Sequence, residues 1–271
     1  MINNIVCMIP QGLGLFISFS LLRVTDLTMD GSFVAAAGVY ARLLTAGNGH
    51  ILSGLAGIVV SMIIGIFTAA LQAKQRITPL LASILVLFML QSLNFLLMGR
   101  PNISLLQVRN PNTQVYIGIV FTLSCILIMV TKSRLGLLIK ACGLNPKLIE
   151  RLNLSSTALL MLGLGASNAL AGLSGILASN VVGYADLTMG MGTTLTILGA
   201  SMIGNYVMSF ASLQLSSDIK QIVGVIIGIF CYMLLMMFLL RVHIDPLYLK
   251  LVLSMVLIVM IIVLKQHEVN S

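Results

Sequence analysis

Charge is what this chain has least of. Of its 271 residues, 15 are Lys or Arg and 7 are Asp or Glu, 8% in all, where a water-soluble domain carries roughly a quarter. With 59% hydrophobic residues and a mean hydropathy of +1.10, that shortage excludes an ordinary soluble domain and leaves an integral membrane protein. The formal net charge of +8 does not point to nucleic acid, because the basic residues sit mostly at the ends of apolar runs, without a basic stripe or interleaved aromatics. Cys7, Cys125, Cys142 and Cys231 are scattered with no CxxC spacing and read as small core residues. His50, His243 and His267 are too dispersed for a metal site. There is no G-x-x-x-x-G-K-[ST] loop to cradle nucleotide phosphates and no convergent nucleophile, base or metal set. No catalytic, cofactor or metal residues are therefore expected, and any ATP is bound by another chain. The opening Met1-Ile2-Asn3-Asn4 has no basic stretch before its apolar run, so no removable signal peptide is expected.

What the chain does have is long apolar runs. They predict membrane segments at 5–24, 31–46, 51–73, 79–98, 115–131, 157–178, 191–208, 221–240 and 248–264. The expectation is an all-α polytopic membrane protein with about 8–10 transmembrane or half-membrane helices. The second segment is short and rich in small residues, as a half-helix would be. Lys74 and Arg76 mark one short loop, while Lys132, Arg134, Lys140, Lys147 and Arg151 crowd a long connector. Both belong in the cytoplasm by the positive-inside rule. The Gly99–Gln114 loop and the N-terminus then lie outside, and Lys220 and the C-terminal tail inside. Arg241, His243, Asp245 and Lys250 fall on the outer face, either as a solvated loop with a local ion pair or as a docking patch.

One tetrapeptide occurs twice. Asp26-Leu27-Thr28-Met29 returns as Asp186-Leu187-Thr188-Met189, an offset of 160 that also pairs Gly12-Leu13 with Gly172-Leu173. Five apolar segments lie between the copies, and an odd number of crossings makes this an inverted repeat. Transporters built this way hold solute near the repeat interface, where helices are interrupted. The other reading is a pair of ordinary turns. An ionised Asp at the centre of a membrane helix costs about 2.5–3.5 kcal/mol on insertion scales, so Asp26, Asp30 and Asp186 must be paired, solvated or functional. Two roles are open to them, together with Thr28 and Thr188: capping the half-helix that follows, or contacting the ammonium group of a solute. Ser167 and Asn168 stand in a spanning segment, either lining a pathway or hydrogen-bonding between helices.

Small residues recur every four positions at Gly57, Ser61, Gly65 and Ala69, and again at Gly224 and Gly228. That spacing lets helix backbones approach closely in lipid, within the chain in the favoured reading or across a dimer seam in the other. In the connector, Gly143 is expected to end one short helix in a left-handed conformation. Asn145 is expected to cap the next, with Pro146 at its first position. Two short amphipathic helices then either press on a partner or lie on anionic lipid.

The connector, followed by Leu164-Gly165-Ala166-Ser167-Asn168-Ala169-Leu170-Ala171-Gly172-Leu173-Ser174-Gly175, resembles the signature stretch of ATP-binding cassette importer permeases of the branched-chain amino acid and ribose type. The Asp26–Phe33 and Tyr184–Thr193 stretches resemble the two motifs of the tryptophan/tyrosine-type uptake subgroup. The resemblance covers nearly the whole chain. It implies one transmembrane permease domain over 1–271, with a cytoplasmic connector over 132–156 that holds a coupling helix. It also implies a multi-pass protein of the bacterial inner membrane that moves a small solute, an amino acid or related compound, by alternating access. The partners it implies are a cytoplasmic ATP-binding subunit that hydrolyses the ATP, an extracytoplasmic solute-binding protein, a second permease copy and membrane lipid. Ala141, Gly143, Asn145 and Pro146 would then touch the ATPase. Leu144 departs from the family pattern where an acidic residue is common, and Asn205 where Glu is usual, which places Asn205 among the pathway candidates. The alternative from a different class is a secondary transporter driven by a proton or sodium gradient.

Overall fold

Ten α-helices make up most of the described residues of a computed structural model, which are 2–73, 77–108, 112–210, 216–242 and the isolated positions Tyr248, Leu251, Ser254, Met255 and Ile258. The expected features at Lys74, Arg76, Arg109, His243, Asp245, Lys250 and His267, and most of the 248–264 segment, lie outside them. In chain order the helices are α1 (Ile2–Leu15), which continues as a π-helical segment Phe16–Leu21, then α2 (Met29–Thr45), α3 (His50–Ala73) and α4 (Pro79–Met98). After a short strand β1 (Asn102–Ser104) come α5 (Thr113–Lys132), α6 (Arg134–Leu144), α7 (Pro146–Arg151) and α8 (Ser156–Val182). A second strand β2 (Tyr184–Asp186), antiparallel to β1 with Ile103 opposite Ala185, precedes α9 (Thr193–Phe210) and α10 (Ser217–Arg241). The residues group into two compact units, Met1–Ile197 and Leu198–Ser271.

The helices start and stop on local chemistry. Thr78 accepts a hydrogen bond from the Leu81 amide with Pro79 in the first turn of α4, and Gly99 closes that helix at φ 73°. Ser155 accepts from the Ala158 amide at the start of α8, which Gly183 closes at φ 93°. Each cap satisfies backbone groups that a helix end otherwise leaves open. Among the described residues six helices are long and apolar enough to cross a membrane: Asn3–Leu21, α3, α4, α5, α8 and α10. The segment expected at 31–46 is α2, whose 17 residues reach only about 25 Å at 1.5 Å per residue, short of a hydrocarbon core of about 30 Å. Between the two Asp motifs there are thus four candidate spans and this shorter helix.

In the first unit α8 is the central column. Its contacts with α1 pair Ser174 with Cys7, Ser167 with Gly14 and Gly163 with Leu22, so the two helices run antiparallel. One end of the unit carries the α6–α7 connector and the other carries β1 and β2. The small-residue stripe of α3 is spent inside the chain. A Cβ on Gly57 would lie 2.8 Å from the Ala36 carbonyl oxygen, one on Gly65 would overlap the Leu164 carbonyl, and one on Gly172 would overlap Ser61. In the second unit Gly204 meets the backbone of Gly224, Gly228 meets that of Ala200, and Asn205 Oδ1 fills the space beside Gly224.

One expectation about the connector is corrected. Gly143 does not end a helix in the left-handed region: α6 runs through it to Leu144, and it is not among the positive-φ residues. Its missing side chain serves a close approach instead, since a Cβ there would overlap the Leu21 carbonyl and lie 2.6 Å from the Leu22 carbonyl carbon. Asn145 does occupy the N-cap position of α7 with Pro146 following, but without a side-chain cap hydrogen bond.

Two glycines on the same helix should respond in opposite ways. Gly65→Ala is expected to lower stability by about 1–3 kcal/mol through overpacking against α8. Gly54→Ala, where an added Cβ meets nothing within 4 Å, should be neutral or stabilising by up to about 1 kcal/mol. Thermal unfolding of the two variants in mild detergent measures the difference.

Candidate translocation site

The repeated motif folds the same way twice. Asp26 Oδ1 accepts from the Thr28 amide at 2.9 Å and the Thr28 hydroxyl at 2.5 Å. Asp186 Oδ1 accepts from the Thr188 amide at 2.8 Å and the Thr188 hydroxyl at 2.5 Å. Each Asp thereby closes a tight turn through its own backbone two residues on, and each turn leads into a short helix, α2 or α9. The copies arrive from antiparallel helices, α1 and α8, so the repeat is inverted in space as well as in sequence.

Their surroundings differ. Asp26 and Thr28 are fully buried, and Asn168 of α8 ties them to the bundle. Asn168 Nδ2 donates to Asp26 Oδ2 at 2.8 Å and to the Leu164 carbonyl at 3.0 Å. Its Oδ1 accepts from Ser32 Oγ at 2.6 Å and from Thr28 Oγ1 at 3.3 Å. Ser167 is equally buried and donates to the Gly14 carbonyl at 2.8 Å. In this conformation Ser167 and Asn168 are both engaged between helices. Asp186 is partly exposed in β2, with Asn102 Nδ2 3.2 Å from its Oδ2. The Thr188 hydroxyl, and then its amide, hold the Asp186 carboxyl below the usual carboxylate range.

Asp30 joins the two copies. It lies in the first turn of α2, yet its carboxylate receives the N-terminus of α9. Oδ2 accepts from the Gly192 amide at 2.8 Å, and Oδ1 accepts from the Thr194 amide at 2.7 Å, Thr194 Oγ1 at 2.6 Å and Thr193 Oγ1 at 2.9 Å. Gln11 of α1, also fully buried, donates to Thr193 Oγ1 at 2.9 Å and Thr194 Oγ1 at 3.3 Å. A carboxylate is the right group here, because it accepts from open amides and opposes the positive end of a helix dipole. Asp30 therefore caps a half-helix, though that of the other repeat and not its own. Gln11 and Thr194 escaped the sequence reading. Gln11 carried a signal, a Gln inside an apolar run immediately before the repeated Gly12-Leu13.

The connector forms a second centre. Cys142, Ile149 and Leu159 are buried together, fastening α6 and α7 to the start of α8. Ala141 and Gly143 are half-buried, while Leu144, Asn145, Pro146, Lys147 and Leu148 form an exposed ridge, with Leu144 at 55% and Leu148 at 45% exposure. Gly143 rests on Leu21 and Leu22, the last residues before the Asp26 turn. Arg23, next in that link, takes the left-handed region at φ 55°, a conformation that costs a non-glycine residue about 1 kcal/mol or more. Asn205 is exposed on the second unit. Among the described residues no group of His, Cys, Asp and Glu has the geometry to hold a metal ion.

Replacing Asp30 by Asn removes the charge and puts donors where two amides and two hydroxyls require an acceptor. Asp30→Asn should cost about 1–3 kcal/mol of stability. Asp186→Asn, in an exposed turn, should cost under about 1 kcal/mol. Unfolding temperatures of the two variants in detergent test this ordering.

Comparison with known proteins agrees with the geometry. The family model described as "Branched-chain amino acid transport system / permease component" matches residues 5–264. An uncharacterized protein of Rickettsia prowazekii is 35% identical over 269 residues, covering 96% of this chain and 95% of the relative. A tyrosine transport system permease protein of Clostridioides difficile is 30% identical over 254 residues, 92% of this chain and 84% of the relative. No solved structure matches. The chain belongs to the branched-chain amino acid transport permease family and is a multi-pass, membrane-spanning permease subunit of an ATP-binding cassette importer.

Proposed function

We propose that the chain carries an amino acid or a closely related solute across the bacterial inner membrane by alternating access. In this proposal a separate ATPase drives it from the connector end, which the excess of Lys and Arg assigns to the cytoplasm. A second permease copy completes the pathway, and an external binding protein delivers the solute at the β1–β2 end. The substrate class draws on the similarity to the tyrosine transport system permease protein of Clostridioides difficile. The observation that carries the mechanism is the path of contact from the connector inward. The exposed Leu144–Leu148 ridge offers a partner an apolar grip, and Gly143 of the same pair of helices touches Leu21 and Leu22. Leu22 leads through Arg23 to the Asp26 turn, and Asp30, four residues further, holds α9. A push on the connector thus reaches the place where the two repeats meet through the short irregular link 22–28, which the Asp26–Asn168 hydrogen bond ties to α8. ATP-driven closure of the partner need only favour one arrangement of that meeting point by a few kcal/mol to switch the population.

Copurification from native membranes in mild detergent tests the reading. The tagged chain is expected to bring down a nucleotide-binding subunit with vanadate-sensitive hydrolysis. The Leu144→Asp/Leu148→Asp variant, altered only on the exposed ridge, should lose that subunit by about tenfold or more, as expected when apolar anchors of an interface are charged, while still inserting in the membrane. Recovery of the chain alone, together with solute uptake driven by an ion gradient in vesicles, would replace this reading with that of a secondary transporter.

A further inference from the structure

Between α1 and the Asp26 turn the backbone takes a form its sequence does not require. Phe16–Leu21 is π-helical. The bond that closes it runs from the Leu22 amide to the Ile17 carbonyl at 3.0 Å, five residues back where an α-helix reaches four. The next bond spans six, from the Val24 amide to the Ser18 carbonyl at 2.9 Å. Such wide turns are rare and collect at functional sites. Neither Pro nor Gly lies within Phe16–Leu21, so packing and not local chemistry holds the turn open. The Leu22 side chain fills the space beside Gly163 of α8, and the carbonyls of Leu21 and Leu22 lie against Gly143 of the connector.

A wide turn takes up one residue more than an α turn. With α bonding, Leu21 would stand where Leu22 now stands, and the link 22–28 would gain one residue, up to about 3.5 Å of extended chain. Arg23, the first residue past Leu22, is in the left-handed region at φ 55°, a conformation that a longer link would let it leave. Room for that movement is present, because Leu22, Arg23 and Val24 line a cavity of about 280 Å³ together with Gln72, Glu150 and Ser156.

We infer that Phe16–Leu21 is a two-register switch, π-helical while Gly143 rests on the Leu21 and Leu22 carbonyls and α-helical once the connector moves off them. The registers are discrete, since the Leu22 amide bonds either Ile17 or Ser18. The α register slackens the link, so that the Asp26 turn can shift against α1. The inference deepens the importer reading and rests on it for the force that moves the connector.

The test is disulfide cross-linking in the full-length chain, purified with its partners in mild detergent, with Cys7, Cys125, Cys142 and Cys231 replaced by Ala. Leu160→Cys, which packs against the buried cluster of Leu22, Ala69 and Leu164, is combined with either Leu22→Cys or Leu21→Cys, and copper phenanthroline forms the bond. Without nucleotide the Leu22→Cys pair should close faster, and in the complex trapped with ATP and vanadate the Leu21→Cys pair should. Each preference is expected to be about tenfold, a modest population shift between two states. Deleting Ser20, a half-buried residue, makes the Leu22–Ile17 bond an ordinary four-residue one and leaves Leu22 in place. That chain should fold, as checked by thermal unfolding, retain its ATPase, and keep the Leu22 preference in both nucleotide states. An order that does not reverse in a parent complex that hydrolyses ATP would overturn the inference and leave the importer reading standing. Reversal in the Ser20-deleted chain would overturn it too, and if that chain does not fold, the order in the parent decides alone. If no ATPase is recovered with the chain, the importer reading falls. The same pairs are then compared in vesicles with and without a proton gradient, where reversal supports the switch and an unchanged order overturns it.

Discussion

The first unit turns on the carboxylate of Asp30 at the open end of α9. A helix that begins inside a membrane protein exposes amides that lipid cannot satisfy, so a half-helix needs an acceptor brought to it from elsewhere. Here the acceptor comes from the other half of the repeat, with the Gly192 and Thr194 amides within 2.8 Å of Asp30 oxygens. The arrangement also answers the charge problem of a half-buried Asp in a membrane protein, because amides, hydroxyls and a helix dipole surround it. Burying that ion and beginning that helix are each unfavourable alone and become compatible only together. Moving α9 away from α2 would separate them, so any rearrangement that conserves energy must move the two as one piece or supply substitute donors.

The two copies of the motif show how one local fold is put to two uses. The turn at Asp26 and the turn at Asp186 have the same hydrogen bonds to within 0.1 Å, which is a property of the Asp-x-Thr sequence and needs no tertiary help. Burial separates them. Asp26 also bonds Asn168 at the heart of the bundle, whereas Asp186 lies beside Asn102 in the short sheet. The buried copy is fixed by α8, and the exposed copy is fixed by β1. An inverted repeat with one anchored and one peripheral turn is asymmetric, which matches the proposed mechanism, where force enters at one end and solute at the other.

Much of this was legible in the sequence, and what was not has a physical reason. Apolar periods and caps locate α4 at 79–98 to the residue and leave α5, α8 and α9 within a few residues of their observed ends, because such signals are local. The shortness of α2 was legible too, in the length of its apolar run. Asp30 was recognisable as a helix-capping residue, but not as the cap of a helix about 160 positions away, since nothing in a linear string pairs it with Thr194. Gly143 misled for a related reason. Near a helix end a glycine reads as a left-handed stop, and only the tertiary approach of Leu21 and Leu22 explains why the helix continues through it.

The same logic bears on Asn205, where the family pattern favours a Glu. In this chain Asn205 Oδ1 lies against the backbone of Gly224, close enough that any side chain at 224 would collide with it. The contact holds α9 and α10 together within the second unit through a neutral amide and a glycine. A carboxylate in that position would face a helix backbone whose amides are already bonded within α10, and it would have to find a cation or water instead. The neutral residue therefore matches the glycine opposite it.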